Sequence, residues 1–159
     1  MGKKFDQGFT FVELLVVIAI IGVLSSVILF STSQARNKAT NTAIKADLNI
    51  ARGQAGLFLD DPSLNGGLGY LGLCINPNFL KEITAAHTAS GLAGSPFTQS
   101  NIGQTITTTN CHSSTYKYAV SVPLKAPEGT SVYWCIDSAG NSVGRISALG
   151  QNKFDCPSS

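Results

Sequence analysis

Gly8-Phe9-Thr10-Phe11-Val12-Glu13, followed at once by LLVVIAIIGVLSSVILF over residues 14–30, is the stretch on which the reading of this chain turns. From Leu14 to Ala35 there are 22 consecutive residues without a formal charge. About 20 apolar residues cross the hydrocarbon core of a bilayer as a helix, so the segment is long enough to span a membrane. Gly22, Ser25 and Ser26 do not interrupt it, because small residues are tolerated in membrane helices and let neighbours approach closely. One carboxylate, Glu13, stands at its edge. A charge at or inside a bilayer is costly and ordinarily marks function; the plain alternative is a place among the headgroups. A secretory signal is a second use for such a segment, with Lys3 and Lys4 as its basic region and Ser33-Gln34-Ala35 as a cleavage site. The apolar run is longer than the roughly 7–15 residues of such signals, and Glu13 does not suit one.

The rest of the chain bounds the classes that remain. Its 159 residues allow one compact domain beside an anchor. The charged fraction is 13%, about half the ~25% usual in soluble domains, and 43% hydrophobic residues exclude a disordered, highly charged chain. Eleven Lys and Arg against nine Asp and Glu make no electrostatic case for dedicated nucleic-acid binding. All four cysteines follow residue 73, which suggests an oxidising compartment for the C-terminal side. Basic residues flank the span on both sides (Lys3 and Lys4 before it, Arg36, Lys38, Lys45 and Arg52 after), so they do not orient it.

The N-terminal stretch resembles the type IV pilin and pseudopilin family, whose class III signal reads as a short basic leader, Gly, Phe-Thr-Leu-x-Glu and an apolar helix. The likeness covers Gly8 to about Phe30, with Phe11 where Leu is commoner. It implies a prepilin peptidase that cuts between Gly8 and Phe9 and N-methylates Phe9. The mature chain would then be 9–159, with nine basic and eight acidic side chains. The resemblance also implies that Glu13 receives the Phe9 ammonium of an adjacent subunit; a carboxylate withdrawn from water needs such a paired charge. Implied partners are copies of the chain in a helical filament, the peptidase, a pilus or secretion assembly platform, and membrane lipid before assembly. The implied location is the cytoplasmic (inner) membrane, single-pass with the head extracytoplasmic, and then an extracellular pilus or periplasmic pseudopilus. Many pilins bend this helix at a proline; here none occurs from residue 9 to 61. The function expected is that of a structural subunit, a prepilin. A pseudopilin of a type II secretion or competence system is an alternative, and a single-span anchored extracellular binding domain is one of another class.

Beyond the span the helical period persists. Ile44, Leu48, Ala51, Ala55 and Phe58 recur at spacings of 4, 3, 4 and 3, one apolar stripe too short to sustain a coiled coil. Asp60-Asp61-Pro62 predicts the helix stop. The organisation expected is a cleaved leader at 1–8, a transmembrane and assembly helix at 9–35, its amphipathic continuation at 36–59, and a disulfide-bearing head at 60–159. A helix over residues 9–59 would be ~75 Å long at ~1.5 Å per residue.

In the head, Tyr116, Tyr118, Val120 and Val122 alternate with Lys117, Ala119 and Ser121 as in a half-buried strand. Pro127-Glu128-Gly129 predicts a turn, Val132–Ile136 a second strand, Ser138–Asn141 another turn, and Ser142–Ala148 a weaker third strand. Asn78 to His87 predicts a short helix with Phe79, Leu80 and Ile83 on one face. The fold class is α+β: a long N-terminal helix packed on a small antiparallel sheet, a pilin-like layout. The 33 residues from Ile83 to Thr115 carry no formal charge and thirteen Ser or Thr, which reads as a surface loop, plain or displaying adhesive or glycosylated hydroxyls.

Cys74, Cys111, Cys135 and Cys156 allow three pairings, and the residues do not choose among them. The preferred assignment is Cys74–Cys111 with Cys135–Cys156, the second because the C-terminal loops of many pilins are bridged in this way. No C-x-x-C pair supports zinc, and His112 beside Cys111 is one ligand at most. Gly66-Gly67-Leu68-Gly69 lacks the Lys of a phosphate loop, and His87 and His112 form no catalytic motif. Some secretion pseudopilins bind calcium, and the resemblance offers Asp137, Asn141 and nearby backbone for it, with too few oxygens to assign a site. No catalytic residue, metal or cofactor is expected, and no enzyme.

Overall fold

The computed structural model describes residues 9–92, 109–150 and 152–157. The chain divides into two compact units, Met1–Arg36 and Asn37–Ser159. Helix α1, Phe11–Asp60, begins in the first and ends in the second. It is long and apolar enough, by length and composition, to cross a membrane. Among the described side chains of the first unit the large apolar ones are exposed, such as Phe11, Leu24 and Ile28. The hydroxyls there turn back on the helix: Ser26 Oγ donates to the Val23 carbonyl (2.7 Å) and Thr32 Oγ1 to the Ile28 carbonyl (2.8 Å). These two hydroxyls are thus satisfied along the helix itself, as a bilayer requires.

The second unit is an α+β head. After α1 come a single-turn helix α2 (Pro62–Asn65), a 3₁₀ turn (Leu73–Ile75) and helix α3 (Pro77–Ala89). Four strands follow: β1 (Asn110–Ser113), β2 (Tyr118–Glu128), β3 (Ser131–Asp137) and β4 (Ser142–Arg145). They pair antiparallel in the order β1-β2-β3-β4, with Cys111 opposite Val120, Val120 opposite Ile136, and Cys135 opposite Val143.

The period-2 rule assigns the two sheet faces different partners. Tyr118, Val120, Val122, Leu124 and Ile136 join Ile44, Leu48, Ala51, Ala55 and Phe58 of α1 and Phe79 and Ile83 of α3 in the main core. The α1 stripe is therefore the buried face of the helix. On the other face Ala119 and Cys135 pack with Leu149 and Cys156 of the C-terminal segment.

Local chemistry explains the joints. The end of α1 is closed by Asn65, whose Nδ2 donates to the Phe58 and Leu59 carbonyls (2.7 and 2.8 Å), groups that a helix end leaves unpaired. Asp61 then caps α2, accepting from the Ser63 N–H (2.9 Å), so Asp60-Asp61-Pro62 does end the long helix. Gly69 has φ +66 and lies directly against the Thr115 carbonyl, where a Cβ has no room. The neighbouring Tyr70 N–H donates to that same oxygen (3.1 Å). Of this glycine-rich connector, Gly69 is the position that close backbone packing requires.

Asn41 is the buried polar residue of α1. Between Pro123 and Glu128 the register of β2 on β3 shifts. There Asn41 Oδ1 accepts from the Lys125 and Ala126 N–H groups (2.8 and 3.4 Å), while Nδ2 donates to the Ala126 carbonyl (2.8 Å) and Glu128 Oε1 (3.0 Å). One side chain thus supplies the pairing that the bulged strand loses. Lys45 pairs with the other oxygen of Glu128 and lies 4.2 Å from the centroid of the Trp134 ring. That hydrogen bond from Lys45 holds the Glu128 carboxyl below the usual carboxylate range.

The strand β1 was not expected, and the segment Ile83–Thr115 is not one surface loop. Ile83–Ala89 belongs to α3, and Thr109–Ser113 is buried. Uncharged polar residues can be buried when each finds a partner. Asn110 Nδ2 donates to the Leu149 carbonyl (3.1 Å), and His112 Nδ1 to the Lys153 carbonyl (2.8 Å). The middle of that segment, 93–108, lies outside the described residues, and with it the expected hydroxyl display. Strand limits also moved: β2 starts at Tyr118 because Ser114–Lys117 forms a tight turn, and it runs through Glu128 because the turn sits on Gly129.

Candidate functional site

The residues singled out at the N terminus are Gly8, Phe9 and Glu13. Gly8 lies outside the described residues. Phe9 precedes the helix and is 80% exposed. Thr10 is the residue before the first helical turn, and Glu13 stands three positions on. Thr10 donates to Glu13 Oε2 through both its N–H (2.8 Å) and its hydroxyl (2.7 Å), while Glu13 N–H donates back to Thr10 Oγ1 (3.3 Å). This is a reciprocal capping box, T-x-x-E ahead of an apolar run. A negative charge there also meets the positive end of the helix dipole. Both bonds fall on Oε2; among the described residues Oε1 takes none. The carboxylate therefore organises its own helix start through one oxygen. The expectation from the residues had missed the cap, although Thr10-Phe11-Val12-Glu13 spelled it.

The four cysteines form two disulfides, Cys74–Cys111 and Cys135–Cys156, with Cα separations of 5.9 and 5.8 Å. The first joins the 3₁₀ turn to β1, and the second joins β3 to the C-terminal segment. Beside the second lies Asp137, 1% exposed. Its Oδ1 accepts from the Ala139 and Asn141 N–H groups (3.0 Å each), and its Oδ2 from Asn141 Nδ2 (2.8 Å) and the Cys156 N–H (2.7 Å). Burial works against the charged form, but these four donors outweigh it and hold the carboxyl below its ordinary value. The Asn141 carbonyl is likewise occupied, by Arg52 Nη2 (2.8 Å). Asp137 and Asn141 are thus spent on the turn that carries the disulfide rather than arranged around a cation. Among the described residues no three His, Cys, Asp or Glu side chains gather as metal ligands.

Both histidines are packing residues. His87 is buried with Nδ1 3.0 Å from Thr109 Oγ1, and burial lowers its pKa. His112 is held by the Lys153 carbonyl and stacks edge-on against Phe154 at 6.0 Å.

An exposed apolar helix with a capped carboxylate at its start thus runs on into a disulfide-bearing α+β head. Residues 3–29 match the family model of the prokaryotic N-terminal methylation motif. That motif is the class III signal of type IV pilins and pseudopilins. No curated protein and no solved structure matched the chain.

Proposed function

We propose that the chain is a prepilin that becomes a structural subunit of a type IV pilus-like filament. The match of residues 3–29 to the methylation motif carries the reading, and it falls on a helix whose apolar side chains find no cover in the first unit. In this reading a prepilin peptidase cuts between Gly8 and Phe9 on the cytoplasmic side and N-methylates Phe9. The helix then holds the subunit in the cytoplasmic membrane with the oxidised head outside, until an assembly platform draws it from lipid into a stack of like helices. The cap sharpens the role of Glu13: Oε2 is taken by Thr10, and Oε1 is open to the Phe9 ammonium of the preceding subunit. A subunit out of register would leave both charges unpaired, so the pair selects register. No catalytic role is proposed for any side chain.

N-terminal sequencing with intact mass of the protein from its native host tests this. The expected chain begins with N-methylated Phe9, carries two disulfides and appears in sheared surface filaments. A chain that begins at Met1 would leave a plain membrane anchor, and one that begins after Ala35 a secreted head; either removes the filament reading.

A further inference from the structure

We propose that His87 is an acid-sensitive latch between α3 and β1: its neutral ring seats the start of β1 against the end of α3, and its protonated ring releases that joint while the rest of the head stays folded. The device lies wholly within the head and does not depend on the filament reading. His87 stands in the last turn of α3 and is 2% exposed. Its Nδ1 lies 3.0 Å from Oγ1 of Thr109, the buried residue that leads into β1. Its Nε2 is buried and has no hydrogen-bond partner among the described residues. An imidazolium carries a proton on both nitrogens, so protonation sets a charged donor where no acceptor waits.

The surroundings give that charge no relief. A cation is ordinarily favoured at a helix C-terminus. Here the last carbonyls are taken: Ser90 Oγ donates to that of His87 (2.6 Å) and the Ser90 N–H to that of Ala86 (3.1 Å). From β2 the Lys125 ammonium lies over Gly91, just past α3, a like charge for a protonated ring. Tyr118 of β2 is neutral, its pKa pushed up to about 12, chiefly by burial. On α3 itself Glu82 and Lys81 lie five and six residues back, about 7.5 Å or more along the axis. Asp47 of α1 has its pKa raised by burial and by Glu82. Lys45 of α1 is paired with Glu128 of β2, and Arg52 of α1 donates to the Asn141 carbonyl. The 3₁₀ turn carries no charge, and the titratable group of β1 is His112, held by the Lys153 carbonyl. From Ile83 to Tyr116 the chain has no Asp, Glu, Lys or Arg. Burial therefore lowers the pKa of His87 with no neighbouring charge to offset it.

The release stays local because of where β1 sits. It is the end strand of the sheet, with β2 on its one paired side. Its far side is therefore free to open without breaking β2 from β3, the kind of partial opening that precedes global unfolding. The Cys74–Cys111 disulfide keeps β1 tethered to the 3₁₀ turn throughout. The sign of the pH effect follows from linkage. The opened ring takes up its proton near the ordinary histidine value of about 6.5, and the seated ring below it. Opening therefore grows about tenfold per pH unit as pH falls from the first value to the second, and no further beyond it.

Hydrogen exchange of the full-length protein in detergent micelles, read by peptide mass spectrometry as protection factors from neutral to acid pH, tests the latch. Ring titration of His87 and His112 by NMR accompanies it. Protection of Asn110–Ser113 is expected to fall by about tenfold per pH unit below about pH 6.5, while that of β3 holds. His87→Asn keeps a polar group for Thr109 without a titrating ring and should abolish that slope; His112→Asn should leave it in place. Constant protection of β1, a slope that survives His87→Asn or vanishes with His112→Asn, or β3 opening in step with β1 would each overturn the latch. Should His87→Asn fail to form both disulfides, the wild-type titration decides. A His87 ring that titrates below about 6.5 beside a local loss at β1 supports the latch, and one that titrates at or above that value overturns it.

Discussion

The two units of this chain share one helix and bury their apolar surface in opposite ways. Before Asn37, the large apolar side chains of α1 lie open among the described residues, Phe11 74% and Val23 67% exposed. After it, Ile44, Leu48, Ala51 and Ala55 of the same helix are at 0%. Exposed apolar area of that extent is not stable in water, so the first half requires cover from outside the chain, lipid or other helices. The head covers itself with a sheet, three helices and two disulfides, each bridge contributing ~2–4 kcal/mol. The lesson is that one continuous helix can be an unfinished surface at one end and a finished core at the other. Perturbations of the two ends should then separate cleanly, assembly in one case and stability in the other.

The largest separation is expected at Glu13. Both Glu13→Ala and Glu13→Gln should abolish surface filaments while leaving the melting temperature of the head unchanged. The pair distinguishes two roles of the residue. Glutamine keeps a capping box but removes the charge, whereas alanine loses both. If Glu13→Gln assembles like wild type and Glu13→Ala does not, the residue serves the helix start and not a neighbour's ammonium. Filament yield after shearing, with thermal unfolding followed by circular dichroism, gives both readouts.

Next in size is Asn41→Ala, on the head side of the boundary. It removes the acceptor for the Lys125 and Ala126 N–H groups and a donor to the Ala126 carbonyl at a place where β2 has left its ladder. Unpaired buried backbone groups cost about 1–3 kcal/mol each, with water replacing part of the loss, so a total of ~2–3 kcal/mol is expected. Hydrogen exchange should speed at Lys125 and Ala126 first. Filaments, if the head still folds, should form.

How much of this could be read from residues alone follows the same boundary. The N-terminal methylation motif was legible because its signal is position and spacing: Gly8, Phe9, Glu13 and an uninterrupted apolar run. The helix stripe from Ile44 to Phe58 and its stop at Asp60-Asp61-Pro62 were legible for the same reason, a clean period. What escaped notice depends on partners distant in sequence. β1 carries Asn110, Cys111 and His112, a polar string that reads as loop until Leu149 and Lys153 supply its hydrogen bonds. Asn41 reads as a polar helix residue until β2 bulges against it. Sequence shows which groups need satisfying and not which remote backbone will satisfy them.

Asp137→Asn should act on stability through pH. Burial opposes the charged form of the native carboxyl, but the Asn141, Cys156 and Ala139 donors together outweigh it, so the group titrates below its ordinary value. The folded pKa lies below the unfolded one, so the stabilisation is present above the unfolded value and is lost as pH falls through the folded value. Asparagine would turn an NH₂ towards those donors, at a cost of ~1–3 kcal/mol near neutrality. Melting curves from pH 7 down to the acid limit should show the wild type losing its advantage over the variant. A constant difference across that range would mean that Asp137 contributes shape and not charge.

The smallest effect is of opposite sign and probes the α1–α3 contact. Asp47, half-buried on α1, has its pKa raised, chiefly by burial and then by the like charge of Glu82 on α3. Its charged form is the unfavourable one in the folded head. Asp47→Asn should therefore stabilise the head at pH 7, by no more than a few tenths of a kcal/mol because both groups remain partly hydrated. The folded pKa exceeds the unfolded one, so the gain is present above the folded value and fades as pH falls through the unfolded one, where the wild-type carboxyl is neutral in both states. Melting temperatures at pH 7 and in acid check this: a rise at pH 7 that vanishes in acid supports it, and a fall at pH 7 would mean that Asp47 makes a favourable contact in the folded head. Because Asp47 belongs to the self-sufficient half of the helix, filament yield should stay at the wild-type level, which is the behaviour that Glu13 must not have.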